Sequence, residues 1–102
     1  MPNFIKVAST SDLKPGENKV VSVDGKDVAL FNVNGEFFAI NNVCTHRGGS
    51  LGDGFLEENV VSCPLHGWQY DVKTGENVTI PGRNVASYQV KVEGNDVLVS
   101  SN

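Results

Sequence analysis

Every cysteine and histidine of this chain falls in two short segments, Cys44-Thr45-His46-Arg47-Gly48-Gly49 and Cys63-Pro64-Leu65-His66-Gly67-Trp68. Each segment holds one Cys and one His, and sixteen residues separate His46 from Cys63. A fold that uses the four side chains together must bring two loops, distant in sequence, to one place. What surrounds them reads as strand. Val20-Val21-Ser22-Val23 runs into Asp24-Gly25, Asp27 to Val33 into Asn34-Gly35, and Glu36 to Ile40 follows. Asp-Gly and Asn-Gly between apolar runs are hairpin signals, because type I′ turns need positive φ at both central residues. These three runs predict a meander.

The strand signal stops between Asn41 and Gly54, where four glycines make a loop. Glu58 to Ser62 predicts a strand feeding Cys63, Trp68 to Val72 a returning strand turned at Lys73-Thr74-Gly75-Glu76, and Pro81-Gly82-Arg83-Asn84 a further loop. Ala86 to Glu93 and Asp96 to Ser100 alternate apolar and polar residues around Gly94-Asn95, as two paired strands would. Only Ser9 to Leu13 suggests a helical turn. Phe37 and Phe38, adjacent on one strand, point to opposite faces, so one of the two is expected in the core. The fold class is all-β, with the Cys–His segments as loops on an antiparallel scaffold. A length of 102 residues sets one domain, 1–102.

Composition narrows the function classes. Twelve acidic residues against eight basic ones give a formal charge of −4, which disfavours nucleic acid and anionic lipid and either suits a basic protein partner or simply keeps a small domain soluble. No apolar run reaches the roughly 20 residues of a membrane helix. The start, Met1-Pro2-Asn3-Phe4-Ile5-Lys6, lacks the pattern of a secretory signal. The expectation is a cytoplasmic monomer with reduced thiols, in which Cys beside His points to metal or catalysis rather than a disulfide.

Three readings of the four ligands compete. One zinc ion accepts two Cys and two His, but its usual spacing pairs like with like, whereas both pairs here are mixed. Without a metal, the thiols and imidazoles are ordinary core and surface residues, a reading that confinement to two matching loops disfavours. In a two-iron cluster straddled by both loops, Cys44 and Cys63 take one iron and His46 and His66 the other, so a Cys and a His close together in each loop make sense.

The two-part motif C-x-H and C-P-x-H-G, continued by Trp68-Gln69-Tyr70-Asp71, closely resembles that of the Rieske-type 2Fe-2S ferredoxins. The resemblance runs through the flanking strands, the Pro81 loop and the closing Tyr88 to Gly94 hairpin. It implies a Rieske fold of three antiparallel sheets, in which a base domain carries a loop-built cluster-binding subdomain at one tip (about residues 42–83), shielded on a third side by the Pro81 loop. It further implies one Rieske 2Fe-2S cluster on Cys44, His46, Cys63 and His66, and no catalytic residues. The expected role is a one-electron carrier from a flavin-dependent ferredoxin reductase to a terminal oxygenase, as in aromatic-ring-hydroxylating dioxygenase systems. The small Rieske subunit of an assimilatory nitrite reductase is the alternative, and a structural zinc module a further one. With only two histidines, both already used, the chain has none left for the mononuclear iron of a complete oxygenase.

High-potential members of the family carry an extra Cys in each loop and a Ser after H-G. This chain has Gly49, Leu65 and Trp68 there, while Tyr70 keeps the place of a Tyr that donates to a cysteine sulfur. The departure implies the low end of the Rieske range, roughly −150 to 0 mV. Gly48, Gly49 and Gly67 either turn backbone N–H groups toward sulfur or simply shape the turns. Trp68 is expected to pack beneath the loop, and Arg47 to be a solvated surface charge.

Overall fold

The structure, a computed structural model, describes residues 4–45, 49–65 and 67–100. Its strands, in chain order, are β1 (Phe4–Ser9), β2 (Asn18–Val23), β3 (Lys26–Val33), β4 (Glu36–Asn41), β5 (Phe55–Glu57), β6 (Val60–Ser62), β7 (Gln69–Asp71), β8 (Ser87–Tyr88), β9 (Val90–Glu93) and β10 (Asp96–Ser100). They form three antiparallel sheets, ordered β1-β10-β9, β2-β3-β4-β8 and β5-β6-β7.

The predicted meander is present. Asp24 and Gly25 turn β2 into β3 with φ of 50° and 79°, and Asn34 and Gly35 turn β3 into β4 with φ of 53° and 94°. These turns set the register Val20↔Ala29 and Phe31↔Phe38. The short turn suggested at Ser9 to Leu13 is a 3-10 turn at Thr10–Asp12, where the Ser9 N–H donates to Asp12 Oδ2 at 2.9 Å.

Three expectations are corrected. Glu58 to Ser62 is not one strand: Glu58 and Asn59 turn β5 into β6, with Glu58 at φ 56°. Ala86 to Glu93 is broken at Gln89, so that β8 closes the edge of the meander sheet while β9 joins β10 in another. Phe37 and Phe38 are both half-buried rather than one core and one solvated, because β4 is covered on both faces.

That double coverage organises the molecule. Val28, Ala29, Leu30 and Phe31 of β3 are all 0% exposed. Side chains alternate across a strand, so Val28 and Leu30 enter one core and Ala29 and Phe31 the other. The base core joins Val28, Leu30 and Ala39 to Val97 and Val99 of β10 and is wholly aliphatic among its buried members. The tip core joins Ala29, Phe31 and Ile40 to Val61, Tyr70, Cys44 and Cys63. The meander sheet is a wall, and the cysteines lie on the side away from β10.

Candidate metal centre

The first loop leaves β4 at Asn41. Buried Asn42 pins it: its Oδ1 accepts the Gly52 N–H at 2.6 Å and its Nδ2 donates to Ser50 Oγ at 3.0 Å. Cys44 closes the loop by donating its N–H to the Gly49 carbonyl at 2.9 Å. The second loop is an extension of the β6–β7 hairpin. The Cys63 N–H donates to the Trp68 carbonyl at 2.7 Å and the Gly67 N–H to the Cys63 carbonyl at 3.2 Å, with Gly67 at φ 74°. A tight hairpin end therefore aims Cys63 at the first loop.

Both cysteines are 2% exposed, and neither is in a disulfide. They face each other closely enough for Cys44 to raise the pKa of Cys63. Burial is the larger cause of that rise, and the Leu65 N–H, donating to Cys63 Sγ at 3.4 Å, pulls partly the other way. Burial also raises the phenol of Tyr70, whose Oη lies 3.4 Å from Cys44 Sγ. Buried, protonated thiols are inert; a cation bound between them inverts that preference and deprotonates both. Each sulfur has a hydrogen-bond donor in reach, the Leu65 N–H for Cys63 and the Tyr70 hydroxyl for Cys44, an arrangement suited to thiolate ligands.

Gly49 supplies the space. A Cβ built there would stand 2.6 Å from Cys63 Sγ and 3.2 Å from Leu65 Cγ. Gly49 and Leu65, the positions where high-potential relatives carry extra cysteines, are thus neighbours across the two loops, and an apolar contact stands where a disulfide would be. Trp68 is half-buried against the tip core, as expected.

The third loop, which carries Pro81, is organised by a residue the sequence did not single out. Asn77 is 2% exposed. Its Oδ1 accepts the N–H groups of Thr79 and Ile80, both at 2.8 Å, and its Nδ2 donates to the Arg83 carbonyl at 3.2 Å. The hydroxyl of Thr45 reaches the same carbonyl at 3.2 Å, tying the third loop to the first. Gly75 fixes where the loop rejoins the body: its φ is 80°, its carbonyl accepts the Val85 N–H at 2.8 Å, and a Cβ there would collide with the Val85 carbonyl.

His46, Arg47, Gly48 and His66 lie outside the described residues. Among the described residues no three His, Cys, Asp or Glu side chains converge, so the thiol pair is what the structure contributes to a metal site.

Three antiparallel sheets with a pair of buried thiols held between two loops at one tip define an all-β domain with a candidate thiol-ligated metal site at its end. The sequence profile of the Rieske [2Fe-2S] domain matches residues 3–99, and the chain belongs to that family. The family's cofactor, a Rieske-type 2Fe-2S cluster, is the cofactor of this chain, and the paired thiols and the space at Gly49 fit it. Among its relatives, the ferredoxin component of the naphthalene 1,2-dioxygenase/salicylate 5-hydroxylase systems of Ralstonia sp is 39% identical, over 95% of this chain and 94% of the relative. The ferredoxin of carbazole 1,9a-dioxygenase from Nocardioides aromaticivorans IC177 superposes with a TM-score of 0.93 at 32% identity, covering 98% of this chain and 99% of that one. In a complex of reduced oxygenase and oxidized ferredoxin of carbazole 1,9a-dioxygenase, the matching chain has a TM-score of 0.89 at 32% identity, covering 97% and 94%.

Proposed function

We propose that this protein is the ferredoxin component of an aromatic-ring-hydroxylating dioxygenase system: a one-electron carrier, not a catalytic subunit. In this reading a flavin-dependent reductase loads it and a terminal oxygenase unloads it. It works as a cytoplasmic monomer, a single domain over 1–102 whose cluster-binding part is about residues 42–83. When bound, the cluster supplies a one-electron couple; Cys44 and Cys63 hold one iron, and His46 and His66 hold the other. The Tyr70 hydroxyl and the Leu65 N–H stabilise charge on the two sulfurs. With no loop disulfide and Trp68 in place of a Ser, the potential falls at about −150 to 0 mV.

The observation that carries this reading is the buried pair of facing thiols, each with a donor at its sulfur, in a chain whose relatives are dioxygenase ferredoxins. The surface is consistent with it. Of the six large hydrophobic side chains exposed among the described residues, Val43, Phe55, Leu65, Val78 and Ile80 belong to the tip and only Val92 to the base. An apolar tip on an acidic protein suits brief, salt-sensitive docking to a partner with a basic surround.

The test is direct. Protein purified without added metal is expected to be red-brown, to contain iron and acid-labile sulfide in equal amounts, and, once reduced, to show a rhombic electron-paramagnetic spectrum averaging below the free-electron g. Added to the reductase and oxygenase encoded near it, it is expected to couple NAD(P)H oxidation to hydroxylation of an aromatic substrate. A colourless zinc protein would overturn the cofactor assignment. Electron delivery to a nitrite reductase, and to no oxygenase, would shift the reading to that enzyme's small subunit.

A further inference from the structure

Four groups meet beside Cys44, and they have fewer protons than acceptors. The Thr45 N–H donates to Tyr70 Oη at 3.1 Å. The Thr45 and Tyr70 hydroxyl oxygens are 2.7 Å apart, Cys44 Sγ is 3.4 Å from Tyr70 Oη, and the Arg83 carbonyl is 3.2 Å from Thr45 Oγ1. Each hydroxyl has one proton to give. An arrangement with both hydroxyls donating outward leaves two oxygens 2.7 Å apart with no proton between them; only two arrangements use both protons and keep one there. In one, Thr45 donates to Tyr70 and Tyr70 donates to Cys44 Sγ, while the Arg83 carbonyl keeps its bond from Asn77 Nδ2. In the other, Tyr70 donates to Thr45 Oγ1, Thr45 donates to the Arg83 carbonyl, and Cys44 loses the Tyr70 proton.

We infer that Thr45 is a positioning residue that competes with Cys44 for the hydroxyl proton of Tyr70, and so lowers the reduction potential of the centre. The inference rests on Cys44 being an iron ligand, as proposed above. Geometry favours Thr45 when the sulfur is least charged, since an oxygen at 2.7 Å is a better acceptor than a sulfur at 3.4 Å. Charge favours Cys44 once an electron has arrived, because the added negative charge on the centre strengthens a hydrogen bond to its thiolate ligand. The oxidised form then rests in the Thr45 arrangement and the reduced form in the Cys44 arrangement. No proton leaves either oxygen; only the partners change.

The sign follows. By offering Tyr70 a better bond in the oxidised form than sulfur does, Thr45 stabilises that form and makes reduction harder. Without the Thr45 hydroxyl, Tyr70 has only Cys44 to donate to in both oxidation states, and the oxidised form loses its advantage. A mere support for Tyr70 would act oppositely. Removing it would weaken the bond to sulfur and lower the potential.

The experiment is protein-film voltammetry on cluster-loaded wild type, Thr45→Val, Thr45→Ser, Tyr70→Phe and the Thr45→Val/Tyr70→Phe double variant, matched for iron and sulfide content. Thr45→Val is expected to raise the potential, with a tenfold change in the oxidised-to-reduced balance reading as about 59 mV for one electron. Thr45→Ser, which restores the hydroxyl, is expected to return to the wild-type value. Tyr70→Phe is expected to fall below wild type, and Thr45→Val to change nothing further in that background. A fall or no change in Thr45→Val overturns the inference, as does a rise that persists without the Tyr70 hydroxyl. If Thr45→Val does not load a cluster, Thr45→Ala removes the same hydroxyl. Deuterium electron–nuclear double resonance on reduced wild type gives an independent reading: an exchangeable deuteron near the cluster that disappears in Tyr70→Phe is expected, and its absence overturns the scheme. Absence of iron and sulfide from wild type would instead sink the parent reading.

Discussion

The two sides of the meander sheet are held together by different means. On the base side, long strands bury Val28, Leu30, Ala39, Val97 and Val99 against one another, and the core is apolar throughout. On the tip side the strands of β5-β6-β7 are three residues each. Order there comes from polar side chains bonded to loop backbone: Asn42 to Gly52, Asn18 to the Gly52 and Gly54 carbonyls, Thr45 to Arg83, and Asn77 to Thr79, Ile80 and Arg83. A short loop-rich layer cannot bury enough apolar area to be rigid on its own, so directional bonds and a metal centre substitute. The base supplies stability and, in the reading proposed above, the tip supplies redox chemistry, with β3 and β4 shared between them.

Four substitutions break or sharpen that division, from the largest effect to the smallest. Cys63→Ala is expected to abolish the visible spectrum and electron delivery completely, while far-ultraviolet circular dichroism keeps the signature of the base strands. Leu30→Ala, at a position 0% exposed in the base core, is expected to cost about 2–5 kcal/mol in denaturant unfolding while leaving the cluster's spectrum unchanged at low temperature. Asn77→Ala strips two loop N–H groups of their acceptor and is expected to cost about 1–3 kcal/mol, with hydrogen exchange accelerating at Thr79 and Ile80 but not in β10. Lys6→Ala removes a 3.1 Å ion pair with Asp96 on the base surface, where both side chains are about half exposed, and is expected to change stability by less than about 1 kcal/mol.

What the sequence disclosed follows the same line. The β2–β3–β4 meander was legible because Asp24-Gly25 and Asn34-Gly35 are local signals that set local geometry. The β5–β6 turn was not, because Glu58 adopts positive φ without being Gly or Asn and gives no warning of it. The break at Gln89 was hidden because both halves of Ala86 to Glu93 keep one alternation while passing from one sheet to another. Strand β1 was missed: Phe4-Ile5-Lys6-Val7-Ala8-Ser9 carries no turn signal at its start, and its partner β10 is the far end of the chain. At the site, Cys44, Cys63 and Tyr70 were legible from the motif. Thr45 and Asn77 were not, since their roles depend on the third loop reaching the first, a contact between residues 38 positions apart.

The meeting of Gly49 with Leu65 has one more consequence. With neither Cys44 nor Cys63 in a disulfide and no other cysteine in the chain, the two loops share no sulfur–sulfur crosslink. If Cys44 and Cys63 are the ligands, iron is the clasp. Stripping it with a chelator is expected to expose residues 44–68 to limited proteolysis well before β2, β3 or β10 is cut. A carrier damaged by oxidation would then be tagged by its own slackness, marked for removal while most of its body is still intact.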